Sequence, residues 1–356
     1  MTGLLSSRLA QGLREAFATP LAGALSLAVG LPVALLAWGA ARWLVLDAVW
    51  PWQDAAACSA RDGICWPFLV EKTRFILFGT YPYDLHARPA AVSVLLCGLC
   101  VLTGCRMTGK AAWLCPQRLA AAWSLAVIAC FVLMGGGVLG LEPVDPVRWN
   151  GLPILLLLSI VAVALAFPLG IALALARTQA THLLLARLAA TYVEAARGVP
   201  MLTVLFVGVF VLPMTLPQGT SLSPVGATLI ALVLFNAAYL AEDIRGGLLS
   251  LPAGQGEAAR SLGLGYWQAT RLVVLPQAIS RALPSLVNSI IGAYKDTSLV
   301  VVVGIHDLTA TARMAFGDPA WRGHALEAYA LVGLWFFLSC TLLSGVGRRL
   351  HRHPAG

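Results

Sequence analysis

A lysine and an aspartate stand side by side at Lys295 and Asp296 inside an otherwise apolar run, where neither charge belongs by solubility alone. Ionisable groups at hydrocarbon depth face a cavity or one another. Thr297 and Ser298 add hydroxyls, and Asn288 lies about two helical turns earlier on roughly the same face. One polar stripe of this kind could line a path for a zwitterion, which needs charges of both signs or helix ends to hold it. The other reading ends the span near Lys295 and leaves the charges among headgroups. Two further pairs, Glu194 with Arg197 and Glu242 with Arg245, have the spacing that puts partners on one helix face, and a glycine follows each arginine. A structural brace at the membrane edge is the plainer reading, an inner gate the sharper one.

Other chemistries do not survive inspection. The stretch GCRMTGKA from Gly104 nearly spells a phosphate-binding loop, but Ala111 replaces the hydroxyl that would hold Mg²⁺, and no strand precedes it. Arg106 and Lys110 then read as charges that set topology. The six histidines, His86, His182, His306, His324, His351 and His353, are scattered and form no ligand set. No nucleophile stands at a recognisable spacing from a base. Of the eight cysteines, six lie in or beside apolar runs and behave as small hydrophobes. Cys58 and Cys65 share a polar stretch and could bridge if it faces an oxidising compartment; otherwise they are two thiols.

The elements that would position these residues follow from composition. The chain is 59% hydrophobic and 11% charged, with mean hydropathy +0.82, which leaves too little polar surface for a soluble domain. Apolar runs near the length that crosses hydrocarbon recur at Leu21 to Leu46, Ala90 to Cys105, Leu119 to Leu139, Ile154 to Ala176, Leu188 to Leu212, Val225 to Leu249, Ala282 to Val303 and Ala328 to Val346. Eight spans of an all-α polytopic membrane protein are therefore expected. The first is too long for a signal-peptide core.

The net charge of +8 raises nucleic acid as a partner, yet the basic residues sit between spans and form no single face. With the N-terminus inside, fifteen of the 24 Lys and Arg, Arg8, Arg14, Arg177 and Arg187 among them, fall on inner segments and eight on outer ones. Both termini are then cytoplasmic, and Cys58 and Cys65 periplasmic. Composition changes near Asn150. Residues 1–150 hold three spans and an outer loop with Trp50, Trp52, Trp66, Tyr81 and Tyr83, aromatic residues that suit an interface; residues 151–350 hold five.

Within that second part the inner connection from Arg245 to Arg281 carries the most information. It reads EAARSLGLGYWQATRLVVLPQA from Glu257. Gly263 or Gly265 can end a helix in the left-handed conformation, and Pro276 biases Leu275 away from one. Two short helices at a large angle are expected. Trp267, Leu272 and Val273 need a surface to dock on, and the partner expected is another protein.

The segment resembles the EAA loop of ATP-binding-cassette importer permeases: Glu257, Ala258 and Ala259, three residues, Gly263, nine residues, Val273 in place of isoleucine, one residue, then Leu275 and Pro276. TYVEAARGVPMLTVLF from Thr191, AAYLAEDIRGGLLSLP from Ala237 and KDTSLVVVVG from Lys295 resemble polar amino-acid permeases. GICWPF from Gly63 and DPAW from Asp318 resemble the M-type subunits of general L-amino-acid transporters. Asp243 departs from that pattern, which has an apolar residue there, and gives Arg245 two acidic neighbours. The resemblance implies a type I permease core in the last five spans and alternating access in a bacterial inner membrane. It implies a related or identical permease partner, two ATPase subunits docked on the loop, and a periplasmic amino-acid-binding protein. ATP and Mg²⁺ would belong to the ATPases, with no cofactor and no enzymatic activity on this chain.

Overall fold

The computed structural model describes residues 15–111, 113–178, 182–217, 220, 222–252 and 254–352, so Arg8, Arg14 and His353 lie outside it. The described residues are helical, with no β-structure among them beyond two isolated bridges, Val49 with Cys65 and Gly151 with Asp307. They divide into two compact units, one reaching Thr73 and one starting at Arg74.

In the first unit, helix α1 (Pro20–Ala41) continues through one wider turn (Arg42–Leu46) and buries none of its residues. A helix that is apolar all round and buries none of its residues suits lipid. Beyond it the chain folds back on itself. The Val49 amide donates to the Ile64 carbonyl at 2.9 Å, and the Trp66 amide donates to the Val49 carbonyl at 3.0 Å. Only glycine fits at this crossing, because a Cβ on Gly63 would stand 2.0 Å from the Asp47 carbonyl oxygen. Cys58 and Cys65 are joined as a disulfide. The Trp50 ring lies stacked between Trp52 and Trp66, at 5.4 and 6.1 Å. Helix α2 (Trp66–Phe78) runs across the division between the units.

The second unit contains α3 (Ala87–Met107), α4 (Pro116–Gly135), α5 (Gly151–Thr178), α6 (Leu183–Gly198), α7 (Met201–Thr215), α8 (Pro224–Leu249), α9 (Gln255–Ser261), α10 (Tyr266–Val303), α11 (Leu308–Phe316) and α12 (Ala325–Arg352). Among the described residues of the whole chain seven helices are long and apolar enough to cross a membrane, and eight if the bent pair α6 and α7 counts as one.

Two local expectations are corrected. The run from Leu188 to Leu212 is no straight span: α6 and α7 meet at 107°. Pro200 forces the break, holding Val199 extended at φ −104° and ψ 136°. Conversely, Pro276 stops nothing. The helix that starts at Tyr266 runs to Val303, and Leu275 is helical at φ −64° and ψ −43°. The turn ahead of the proline, Thr270–Val274, is widened to the i→i+5 pattern, which makes room for the ring and moves the missing donor to a register change. The second of the two short helices expected in the loop is thus the first turns of α10.

The core lies where α5, α8 and α10 meet, with Ala166 and Ala174 of α5, Leu240 and Ile244 of α8 and Leu286 of α10 buried together. Apolar side chains gain little by leaving lipid for protein, so close backbone approach and dispersion must hold the bundle. Small residues permit it. A Cβ on Gly247 would meet the Ala278 carbonyl at 2.3 Å, and one on Gly170 would meet Leu240 Cβ at 3.0 Å. Val193 of α6 packs on Ala238 and Ala241. At the far ends of these helices the Gly151 amide donates to the His306 carbonyl at 2.8 Å, Asn150 donates to the Thr80 hydroxyl, and the Thr311 hydroxyl donates to the Ile76 carbonyl. The fully buried Asp307 caps α11, accepting from the Ala310 amide at 3.0 Å.

Candidate functional site

The loop of the EAA type is ordered by its own contacts. Glu257 lies in the first turn of α9, where a carboxylate favours the positive helix end, and is exposed with no ion pair among the described residues. The Glu257 carbonyl accepts from the Ser261 hydroxyl at 3.1 Å. Ala258 is exposed and Ala259 is buried. Gly263 ends α9 at φ +83°, a backbone angle that any Cβ resists, and the Leu264 amide reaches back to the Ala259 carbonyl at 3.3 Å. Ala269 and Thr270 are buried beneath the elbow, Val273 and Leu275 are half-buried, and Gln277 donates to Gln255 at 3.1 Å. Arg281 ties the far side by donating to the Ser250 carbonyl at 3.0 Å. Turned outward are Leu262, 83% exposed, Trp267, 69% exposed, and Leu272, with Pro276 at the margin. The elbow therefore has a buried polar and alanine side that fixes its shape and an exposed apolar side on which the Trp267 ring meets the neighbouring Tyr266 ring edge-on at 5.4 Å.

A charge cluster joins the neighbouring ends of α5, α6 and α8. Glu242 is paired with Arg245 on its own helix, and Arg245 Nε donates to Glu242 Oε2 at 3.1 Å. Glu194 and Arg197 do not pair with each other among the ion pairs described. Arg197 instead approaches Glu242 at 3.6 Å, and Glu194 approaches Arg177 at 3.5 Å. The central residue is Arg177, whose Nη1 donates to Glu242 Oε2 at 2.6 Å while its side chain is only 12% exposed. Sequence reading had placed Arg177 only as a topology charge. Its position at the end of an apolar run was visible, whereas its partner 65 residues away was not. Asp243 forms no ion pair among the described residues: the Ser289 hydroxyl of α10 donates to it at 2.6 Å, and Arg245 pairs with Glu242.

Of the polar stripe on α10, the structure brings Asn288 and Lys295 together in one cavity of about 450 Å³ against α12. Thr341, Ser344 and Arg348 of α12 share it, with Ile291, Phe336 and Phe337 as apolar wall. Asp296, Thr297 and Ser298 do not reach that cavity. Thr297 is buried and donates to the Tyr294 carbonyl at 2.6 Å, and Ser298 donates to the Lys295 carbonyl at 2.8 Å. Tyr294 positions the two helices, its hydroxyl accepting from Trp335 at 2.7 Å and from Ser339 at 3.2 Å.

Such an arrangement offers an exposed apolar face on the elbow, a charge cluster where α5, α6 and α8 meet, and an open groove between α10 and α12 that carries two cations. Residues 166–354 match the family described as binding-protein-dependent transport system inner membrane component. The inner membrane amino-acid ABC transporter permease protein YhdY of Escherichia coli is 38% identical over 316 residues, which cover 87% of this chain and 83% of the relative. The glutamate/glutamine/aspartate/asparagine transport system permease protein BztC of Rhodobacter capsulatus is 34% identical over 94% of this chain and 91% of its own. A solved amino acid ABC transporter with histidines is 30% identical over 55% of this chain and 88% of that one, with a TM-score of 0.47.

Proposed function

This chain belongs to the family of binding-protein-dependent transport system inner membrane components, and we propose on that premise that it couples ATP hydrolysis on separate subunits to L-amino-acid uptake. It is the membrane permease subunit of an amino-acid importer of the ATP-binding-cassette class. Two ATPases, carrying the ATP and Mg²⁺, seat on the elbow formed by α9 and the start of α10. A homologous permease, identical or merely related, completes the pore, and a periplasmic amino-acid-binding protein delivers substrate. Both termini lie in the cytoplasm, with Cys58 and Cys65 in the periplasm. Alternating access moves the cargo, with Asn288 and Lys295 on its route.

One observation carries this reading. Leu262, Trp267 and Leu272 lie exposed on a segment whose other face is held by Ala259, Ala269 and Gln277, so the apolar side is presented by a rigid support. A docking element needs both properties, since a mobile loop would absorb the motion it receives. The groove between α10 and α12 gives the second support, because Lys295 and Arg348 would cost about 3 kcal/mol each against acyl chains and so belong beside water or a partner subunit. Co-purification of the assembled importer tests the docking. Gly263→Pro should release the ATPase while the permease still reaches the membrane, and retention of the ATPase would refute the assignment.

A further inference from the structure

The cavity between α10 and α12 has a charge imbalance. Two of its lining residues are cationic, Lys295 and Arg348, and none is acidic. Asp296 follows Lys295 in sequence but turns about 100° away around the helix and is absent from the cavity wall. Arg348 donates to Ser344 at 2.8 Å and has no carboxylate within ion-pair distance among the described residues. Its neighbour Gly347 lies against Val287, which sets Arg348 level with Asn288. Lys295 then stands about 10 Å further along the same groove by helical rise, within reach of long side chains converging from both ends.

From this geometry we infer that the permease itself selects among amino acids by charge, favouring those with an acidic side chain over neutral ones and excluding basic ones. The inference rests on the route assigned above to Asn288 and Lys295. An acidic amino acid brings two carboxylates and one ammonium group. Arg348 at one end and Lys295 at the other receive the carboxylates, while the Asn288 amide oxygen and the Thr341 and Ser344 hydroxyls accept from the ammonium. A basic side chain meets two like charges and no carboxylate among the residues that line the groove. Ile291, Phe336 and Phe337 form the apolar part of the groove, which stays open on its outer side, where Phe337 is 67% exposed.

Two measurements on the assembled importer test it. In the first, uptake of radiolabelled L-glutamate and L-glutamine is compared for the native chain, Lys295→Gln, Arg348→Gln and the conservative Lys295→Arg, with membrane abundance recorded. The glutamate-to-glutamine ratio should fall at least tenfold in both glutamine variants and hold in Lys295→Arg. If both substrates fall equally, the route stands and the charge selection is overturned. If neither falls, the route is overturned as well. The second measurement leaves both cations in place and covers variants that fail to accumulate. Cys340 lines the same cavity, so with the other free cysteines replaced it reports the local potential. An anionic sulfonate thiosulfonate should label Cys340 at least tenfold faster than a cationic trimethylammonium one, and L-glutamate should protect it. Faster labelling by the cation overturns the selection, and no labelling by either reagent overturns the route.

Discussion

Arg177 and Glu242 meet at 2.6 Å across two helices, and this contact fixes how three acid and base positions around it must pair. With Arg177 on Glu242, Arg197 is drawn to the same carboxylate and Glu194 is left at the exposed edge. One carboxylate therefore serves three guanidinium groups, and removing it is worse than removing any of its partners.

Glu242→Gln should lower the unfolding midpoint of the purified permease in detergent more than Arg197→Gln does. Three cations then lose their common counter-charge, for a cost of about 3 kcal/mol, as against less than about 1 kcal/mol for the half-exposed Arg197. Arg177→Lys should recover only part of the loss from Arg177→Met, because a point charge cannot reach Glu242 and Glu194 at once. Equal effects of Glu242→Gln and Arg197→Gln would contradict the shared-carboxylate arrangement.

Trp267→Ser should reduce ATPase co-purification at least tenfold and leave the unfolding midpoint of the isolated permease within about 1 °C. The side chain is 69% exposed and touches little of its own chain, so only a partner loses by its removal. A large drop in midpoint would mean that Trp267 packs internally.

Gly247→Leu should prevent accumulation of folded permease, and Gly247→Ala should destabilise it by about 2 kcal/mol or more. A Cβ there would stand 2.3 Å from the Ala278 carbonyl, so α8 and α10 would have to separate along their whole contact. Thermal unfolding in detergent reads the effect, and a neutral alanine variant would show that the two backbones are further apart than described.

Burial pushes the Asp307 carboxyl up to about 6 from an ordinary value of 3.8. The folded chain thus keeps its proton over a range in which the unfolded chain has released it. The stability this contributes is complete below about pH 4, declines as pH rises toward 6, and is absent above, a change of about 2 to 3 kcal/mol. Asp307→Asn keeps the cap on the Ala310 amide and should remove that decline, gaining on the native chain at neutral pH. Parallel pH profiles for the two proteins would show that Asp307 is not the titrating group.

The apolar runs were legible because lipid leaves a signature about 20 residues long, and the elbow was legible because helix ends leave Gly263 behind. Proline was the unreliable sign. Pro200 breaks a helix inside a run that looked continuous, and Pro276 passes through one that looked finished, because its effect depends on whether the preceding turn can widen. Pairing was legible only where it is local, as for Glu242 with Arg245. The approach of Arg177 depends on how α5 crosses α8, which no spacing along the chain encodes. The stripe on α10 is divided for the same reason: Asn288 and Lys295 share a face by periodicity, but α12 decides which part of that face stays open.

The unbroken run from Tyr266 to Val303 has a mechanical consequence. Thirty-eight residues of helix make a beam about 57 Å long that begins at the elbow and ends just before Gly304. Gly247 packs against it at Ala278, which divides the beam into a short arm on the elbow side and a long one beyond. Were the short arm pushed, a tilt of only a few degrees about that contact would sweep the opposite tip through several ångströms.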